Sequence, residues 1–369
     1  MRITEITVFS YDAMYIYGTY QMSGGRTALG HPSIVVRLRT DEGLEGWSES
    51  APLGSDYLPS SFTGELAALK ELGGLVLGSD PRAPAVLSAA MDRAMMGGNA
   101  AKAVIDFACW DVFGKSVGLP TYALLGGGLS ENLRAFTIVG FGDPETGVKK
   151  ALAEFEKGVT AMQLKVGDDP VNDARRIRAI REALPETAEL WADANCGWNL
   201  EQAMIYAKVL GEGVCVPLEQ PCRALSDCAE VGRRTGIPII LDECIVTVVD
   251  LIAAHAAGVT GVNIKPSRVG GFTKARVLHD TAVALDMMVN VDDTWGCALL
   301  MAQNVQLAAS TRRDRLRAVD AYSEWTVPLI ADCPRMQQDG RYKPTTIPGN
   351  GYKCIKLEIL GEPIFQMTE

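Results

Sequence analysis

Six residues of this chain have types and spacings that could do chemistry together: Lys165, Asp193, Glu219, Asp242, Lys265 and Asp293. They follow one another at steps of 28, 26, 23, 23 and 28 residues. Each closes, or follows within two residues, a short run that reads as a strand: Ala161–Lys165, Glu189–Asp193, Val216–Glu219, Ile239–Asp242, Gly261–Ile264 and Met288–Val291. One strand plus one returning helix takes about 30 residues, so the steps place all six side chains at one end of consecutive parallel strands. Asp193, Glu219 and Asp242 brought together repel one another unless a cation sits among them. An all-oxygen donor set suits hard Mg²⁺, which keeps positions open for water or substrate. Helix caps and barrel salt bridges explain one such carboxylate, but not three in a row flanked by lysines. Lys165 and Lys265 are the candidate catalytic groups. On strands two and six of eight they stand opposite each other and address the two faces of one carbon.

The elements that must position them repeat strand, turn, helix from about residue 134. Ala135–Val139 and Ala318–Tyr322 complete eight apparent strands. Helical patterns lie between, such as Pro144–Lys157, Pro170–Leu184, Leu200–Leu210, Ser226–Thr235, Thr247–Ala257 and Thr273–Leu285. This is α/β patterning, and seven or eight units predict a (β/α) TIM-type barrel over residues 128–331. Residues 1–127 read as an α+β capping domain. Its strands are Ile3–Tyr11, Ser33–Thr40 and Leu44–Glu49, and helical segments follow from about Glu65. Tyr15–His31, rich in Gly and Tyr, reads as a mobile loop, and Pro52–Phe62 as a second loop. Residues 332–369 return to short strands and are expected to pack on the capping domain.

Composition excludes several classes. The 369 residues are 47% hydrophobic and 22% charged, as in a folded chain. The formal charge is −10, and the only basic cluster, Arg312–Arg317, is interrupted by Asp314. Nucleic acid and anionic membrane are therefore not expected partners. The apolar stretch Leu251–Ile264 falls short of the roughly 20 residues of a span. The N-terminus alternates like a strand and lacks a signal-peptide pattern, so a cytoplasmic location is expected. Nine cysteines without a CxxC pair read as mostly buried thiols. His255 and His279 fall in helical patterns, and His31 lies in the first loop, where it could reach the site.

These residues resemble the enolase superfamily, in its muconate-lactonizing, mandelate-racemase-like branch. Ala101-Lys102-Ala103, Ile105-Asp106, Cys109-Trp110-Asp111 and Gly114-Lys115 are similar to that family's helical signature, and Leu125-Gly126-Gly127 to the turn that opens its barrel. Asp193-Ala194-Asn195, Glu219-Gln220-Pro221 and Asp242-Glu243 are similar to its three metal-ligand strand ends. Ile264-Lys265-Pro266-Ser267-Arg268 with Gly270-Gly271 is similar to its sixth strand and turn. The resemblance implies a Mg²⁺ enzyme that removes the proton α to a carboxylate and stabilises the enediolate. One departure stands out. The family usually has Lys-x-Lys on strand two, and here it reads Gln163-Leu164-Lys165. Gln163 either hydrogen-bonds the substrate or fills the site.

The surrounding loops point to a small carboxylate substrate with a cationic nitrogen. Trp295 either packs under the lid or lays a ring face over that cation, and Tyr57 and Tyr20 could complete the lid. Asp292 and Asp293 are candidate amine partners, and Glu324 a candidate partner of the substrate carboxylate. The loops also resemble those of superfamily members acting on proline derivatives. That implies dehydration of cis-3-hydroxy-L-proline to 1-pyrroline-2-carboxylate. The alternative is racemisation or 2-epimerisation of a proline betaine or hydroxyproline betaine. Dipeptide epimerisation and a silent binding barrel are weaker readings, and a homo-oligomer is expected.

Overall fold

The computed structural model describes residues 1–369. Eight parallel strands follow in consecutive order: Phe136–Val139, Ala161–Lys165, Glu189–Asp193, Leu218–Glu219, Ile239–Leu241, Gly261–Ile264, Met288–Val291 and Leu316–Val319. A parallel bridge between Ala135 and Val319 joins the last strand to the first. The strands are buried on both faces, so their sequences run apolar rather than alternating. Seven long helices cover the outside. Asp143, Asp169, Asn199 and Thr247 cap four of them through side-chain oxygens, and Pro144 and Pro170 stand at first helical positions. The seventh helix, Ala298–Ala309, has all twelve residues buried. None of its faces meets solvent and its polar residues Gln303, Asn304 and Gln306 are buried too, so the usual amphipathic period does not mark it.

The capping domain is an antiparallel sheet of Ile3–Tyr15, Gly30–Thr40 and Glu45–Ser50. Helices Phe62–Val76, Pro84–Ala94 and Asn99–Val117 cover one face around a core of 17 buried residues. The chain re-enters this sheet immediately after the barrel. Thr326–Val327 pairs with Tyr15 and Met14, and Phe365–Thr368 pairs with Val8 to Glu5.

The first loop is not loose. Tyr20–Gln21 and Thr27–Ala28 form a small hairpin, and its tip docks on the barrel. Ser23 Oγ and Arg26 Nη2 each donate to the carbonyl of Asn195 at 3.2 Å. A Cβ on Gly167 or Gly197 would come within 2.7 Å of Ser23 Cβ, so only glycine allows this approach. The surfaces that order the loop lie far away in sequence. His31 belongs to the strand Gly30–Thr40 rather than to the loop. The cysteines also differ from expectation: Cys109, Cys222, Cys228 and Cys297 are buried, three others are partly buried, and Cys215 and Cys354 are exposed. No helix is long and apolar enough to cross a membrane.

The two domains are joined through Glu49, a fully buried residue of the capping sheet. Its Oε1 accepts from Ser33 Oγ (2.8 Å), the Cys297 amide (2.9 Å) and the Tyr11 hydroxyl. Its Oε2 accepts from the amides of Leu299 (3.0 Å) and Leu300 (3.1 Å). The helix Ala298–Ala309 has no side-chain cap of its own, so a carboxylate from the other domain satisfies its free N–H groups. Gln303 exchanges two further hydrogen bonds with the Glu49 backbone, at 2.9 and 3.0 Å. Glu49→Ala is expected to cost about 3–5 kcal/mol, read by urea unfolding. Glu230→Ala removes a carboxylate whose partners Arg233 and Arg234 are surface-exposed, and should leave the unfolding midpoint nearly unchanged.

Candidate active site

Strand register brings the candidates together. Lys165 pairs with Asp193 across strands two and three, and Asp193 with Glu219 across strands three and four. Lys165 Nζ donates to Asp193 Oδ2 at 2.6 Å and to Asn195 Oδ1 at 3.2 Å. Glu219 is fully buried. Its Oε2 accepts from Trp191 Nε1 (2.7 Å) and Gln163 Nε2 (3.1 Å), and its Oε1 from Asn263 Nδ2 (2.9 Å). Across the mouth, Lys265 Nζ lies 3.0 Å from Asp242 Oδ2 and 3.4 Å from Asp292 Oδ2. Arg268 Nη1 donates to Asp242 Oδ1 at 2.5 Å. A small, tight cavity lies between the two lysines. Gln163, Tyr20, Tyr57, Asn195, Asp292, Phe136, Ile138 and Tyr322 line it with them.

The other expected substrate contacts fall differently. Tyr57 lines the cavity, and its hydroxyl donates to Glu243. Asp293 also lines it, but its carboxylate is already engaged: Oδ2 accepts from Ser267 N (3.2 Å) and Oγ (2.9 Å), and Oδ1 from Thr294 N (2.8 Å). It braces the turn after Lys265, and Asp292 faces that lysine instead. The reading of Trp295 as a ring over the cation is corrected. Its indole donates to the Ala13 carbonyl at 2.9 Å, and Tyr15, Tyr20, His31 and Tyr322 surround it. Tyr20 lines the cavity; Trp295 supports it from behind, with ring centroids 5.2 Å apart. His31 packs against Trp295 and does not reach the site. Glu324 is also corrected. Strand eight ends at Val319, so Asp320 holds the strand end. Glu324 sits in a one-turn helix and takes both teeth of Arg335, at 2.7 and 2.6 Å.

Several functional neighbours escaped the sequence reading. Trp191 and Asn263 each stand two residues before a charged strand-end residue. The period of two along a strand puts them on the same inward face, and that signal could have found them. Asn195, Glu243 and Arg268 stand in the motifs quoted above, the first two just past strand ends and Arg268 in the one-turn helix Pro266–Val269, but spacing did not reveal their partners.

The electrostatics follow from crowding. Burial pushes the Glu219 carboxyl well up, and Asp193 and Asp242 push it further. Burial would raise Asp242 too, but Arg268 and Lys265 outweigh it and hold it down. Burial pulls the Lys165 ammonium down, yet Asp193, Tyr20 and Glu219 leave it raised. Lys265 is likewise raised by Asp242 and Asp292 against its burial. The three carboxylates suit a divalent cation by donor chemistry, although Asp193 and Asp242 are turned to Lys165 and Lys265 and the three do not converge on one point. All are oxygens on adjacent strand ends, they repel one another, and the buried Asp242 Oδ2 lacks a well-aligned hydrogen-bond donor.

A capped eight-stranded barrel with three carboxylates and two opposed lysines at one mouth defines the enolase class of barrel enzymes. The model of the mandelate racemase/muconate lactonizing enzyme N-terminal domain matches residues 5–126, and that of the enolase C-terminal domain-like family matches residues 147–355. The chain belongs to this branch of the enolase superfamily, and it is an enzyme. It is 38% identical to cis-3-hydroxy-L-proline dehydratase of Roseibium aggregatum, covering 99% of each chain. It is 30% identical to N-succinyl-L-Arg/Lys racemase of Bacillus cereus, over 69% of this chain and 70% of that one. A mandelate racemase/muconate lactonizing enzyme-type crystal structure from Roseovarius nubinhibens, complexed with magnesium, superposes with a TM-score of 0.95. It is 31% identical and covers 100% of both chains.

Burial pushes the Asp293 carboxyl up to about 7. The folded protein therefore holds a proton that the unfolded chain releases near pH 4. This contribution to stability is full below pH 4 and is lost as pH rises through 7. Between pH 5 and 8 the wild type should lose on the order of 2–3 kcal/mol relative to Asp293→Asn, read by urea unfolding of both at each pH.

Proposed function

We propose that this enzyme removes the Cα proton of a proline-type amino acid and dehydrates cis-3-hydroxy-L-proline to 1-pyrroline-2-carboxylate. The observation that carries the reading is the pair of buried lysines, Lys165 and Lys265, on strands two and six of one small cavity. Full-length similarity to a dehydratase of that substrate supports the choice of reaction.

In cis-3-hydroxy-L-proline the hydroxyl shares a face with the carboxylate and lies opposite the Cα hydrogen. One lysine, neutral at that moment, takes the Cα proton. The other, charged, protonates the departing hydroxyl from the far face. Water leaves, and the enamine tautomerises to the cyclic imine. Asp193, Glu219 and Asp242 would hold Mg²⁺, which would polarise the substrate carboxylate, stabilise enediolate charge and offset the carboxylate field that raises both lysines. Arg268 keeps Asp242 ionised, and Asn195 orients Lys165. Tyr20, Met22 and Tyr57 close the cavity from the capping domain and limit water. A second reading uses the same lysines without a leaving group: reprotonation from the far face would invert Cα. The racemase relative favours keeping it.

Proton NMR in D₂O with proline, the hydroxyprolines and their betaines separates the readings. Loss of the C3 hydroxyl is expected, and Cα exchange with inversion of a betaine would instead establish the epimerase. Lys165→Ala and Lys265→Ala, each checked for folding and Mg²⁺ binding, should form no product and differ in Cα exchange. Turnover near the normal rate by either would end the opposed-lysine mechanism. Activity should vanish in EDTA and return with Mg²⁺. In calorimetric titrations Asp242→Asn should weaken Mg²⁺ binding far more than Asp292→Asn.

A further inference from the structure

Gln163 stands where the family pattern carries a lysine, and its amide has a fixed direction. Its Nε2 donates to Glu219 Oε2 at 3.1 Å, an oxygen that also accepts from the donor-only indole of Trp191 at 2.7 Å. With Glu219 ionised as a metal ligand the NH₂ side faces it, so Oε1 points the other way. That oxygen accepts no hydrogen bond from the protein and is not sealed in the wall, although Gln163 is only 3% exposed. Gln163 lines the cavity between Lys165 and Lys265. The cavity therefore presents a neutral acceptor at Gln163 beside Asp292, with a lysine on either side.

We infer that Gln163 Oε1 accepts an N–H of the substrate's ring ammonium and sets the preference for a secondary amine over a quaternary one. This rests on the reading that a proline-type amino acid occupies the cavity. An acceptor oxygen cannot hold the substrate carboxylate, which the lysines and the metal-ligand set attract instead, and Asp292 in the lining favours the ammonium end. A protonated proline nitrogen carries two N–H groups. An N,N-dimethyl betaine carries none, so against it the buried acceptor stays unpaired, which costs affinity. A lysine at this position would repel either cation. Trp191 and Asn263 keep hold of Glu219 when Gln163 is replaced, so the metal-ligand posture does not depend on Gln163 alone.

The test compares L-proline with N,N-dimethyl-L-proline by calorimetry on the Mg²⁺-loaded protein. L-proline has no hydroxyl, so only its N–H groups can reach the acceptor. Wild type should bind L-proline more tightly. Gln163→Met should weaken L-proline roughly 10- to 100-fold and leave the dimethyl compound within about twofold. Any general damage to the metal site lowers both affinities and leaves their ratio unmoved. Gln163→Lys, which restores the family's residue, serves if the Met variant does not fold, and it too should lose the preference. With cis-3-hydroxy-L-proline, the loss in Gln163→Met should fall on KM more than on kcat. An affinity ratio the same in wild type and both variants overturns the inference, as does a wild type that binds neither compound. Elimination without any shift in the ratio refutes this inference and leaves the proposed function standing. A shifted ratio without elimination or exchange refutes the function and leaves the contact standing.

Discussion

Three carboxylates buried side by side are the constraint around which this molecule is built. Asp193, Glu219 and Asp242 are at most 1% exposed, and negative charges cannot be packed so closely without compensation. Each is compensated differently. Asp193 has Lys165, Asp242 has Lys265 and Arg268, and Glu219 has the neutral donors Trp191, Gln163 and Asn263. The same crowding that makes the set fit a divalent cation also raises both lysines. One carboxylate field thus underlies both the oxygen-only donor set and the raised lysines.

The barrel alone leaves that field open to water. The capping domain closes it, and contacts that look incidental in sequence hold the closure. Glu49 caps a barrel helix, and the hairpin tip at Ser23 wedges between Gly167 and Gly197. The long helix Asn99–Val117 carries the family's signature, but its acids are structural. Asp106 receives Thr273 of the barrel, and Asp111 receives the amides of Trp47 and Asn350. Specificity therefore belongs to an interface: the cavity wall is made by Tyr20, Met22, Leu53 and Tyr57 from the cap and by strand residues from the barrel.

Small shifts of position decide which side chains face that cavity. Asp292 and Asp293 are neighbours, yet one faces Lys265 while the other braces the Ser267 turn. Tyr20 and Trp295 form one aromatic pair, and only the tyrosine reaches the cavity. Gln163 belongs to the same inward row as Lys165, so it answers to Glu219 on one side and to the cavity on the other.

The barrel, its cap and the strand-end residues were legible in the sequence. A repeat of 23 to 28 residues with polar strand ends is a local signal set by chain geometry. The carboxylates and lysines needed only that repeat to be placed at one mouth. The roles of Trp295, Glu324 and the first loop were not legible, because they depend on partners that spacing does not reveal, 282 and 172 residues away for Trp295 and Ser23 and past the last barrel strand for Glu324. Trp295 is claimed by Ala13, Glu324 by Arg335, and Ser23 by Asn195. Nor could periodicity reveal the helix Ala298–Ala309, whose amides are satisfied by a carboxylate from another domain. Covalent spacing determines where along the barrel a side chain sits. Its direction, and whether it stays free for a ligand, is settled by competition among buried hydrogen-bond partners, and only the tertiary structure brings those partners together.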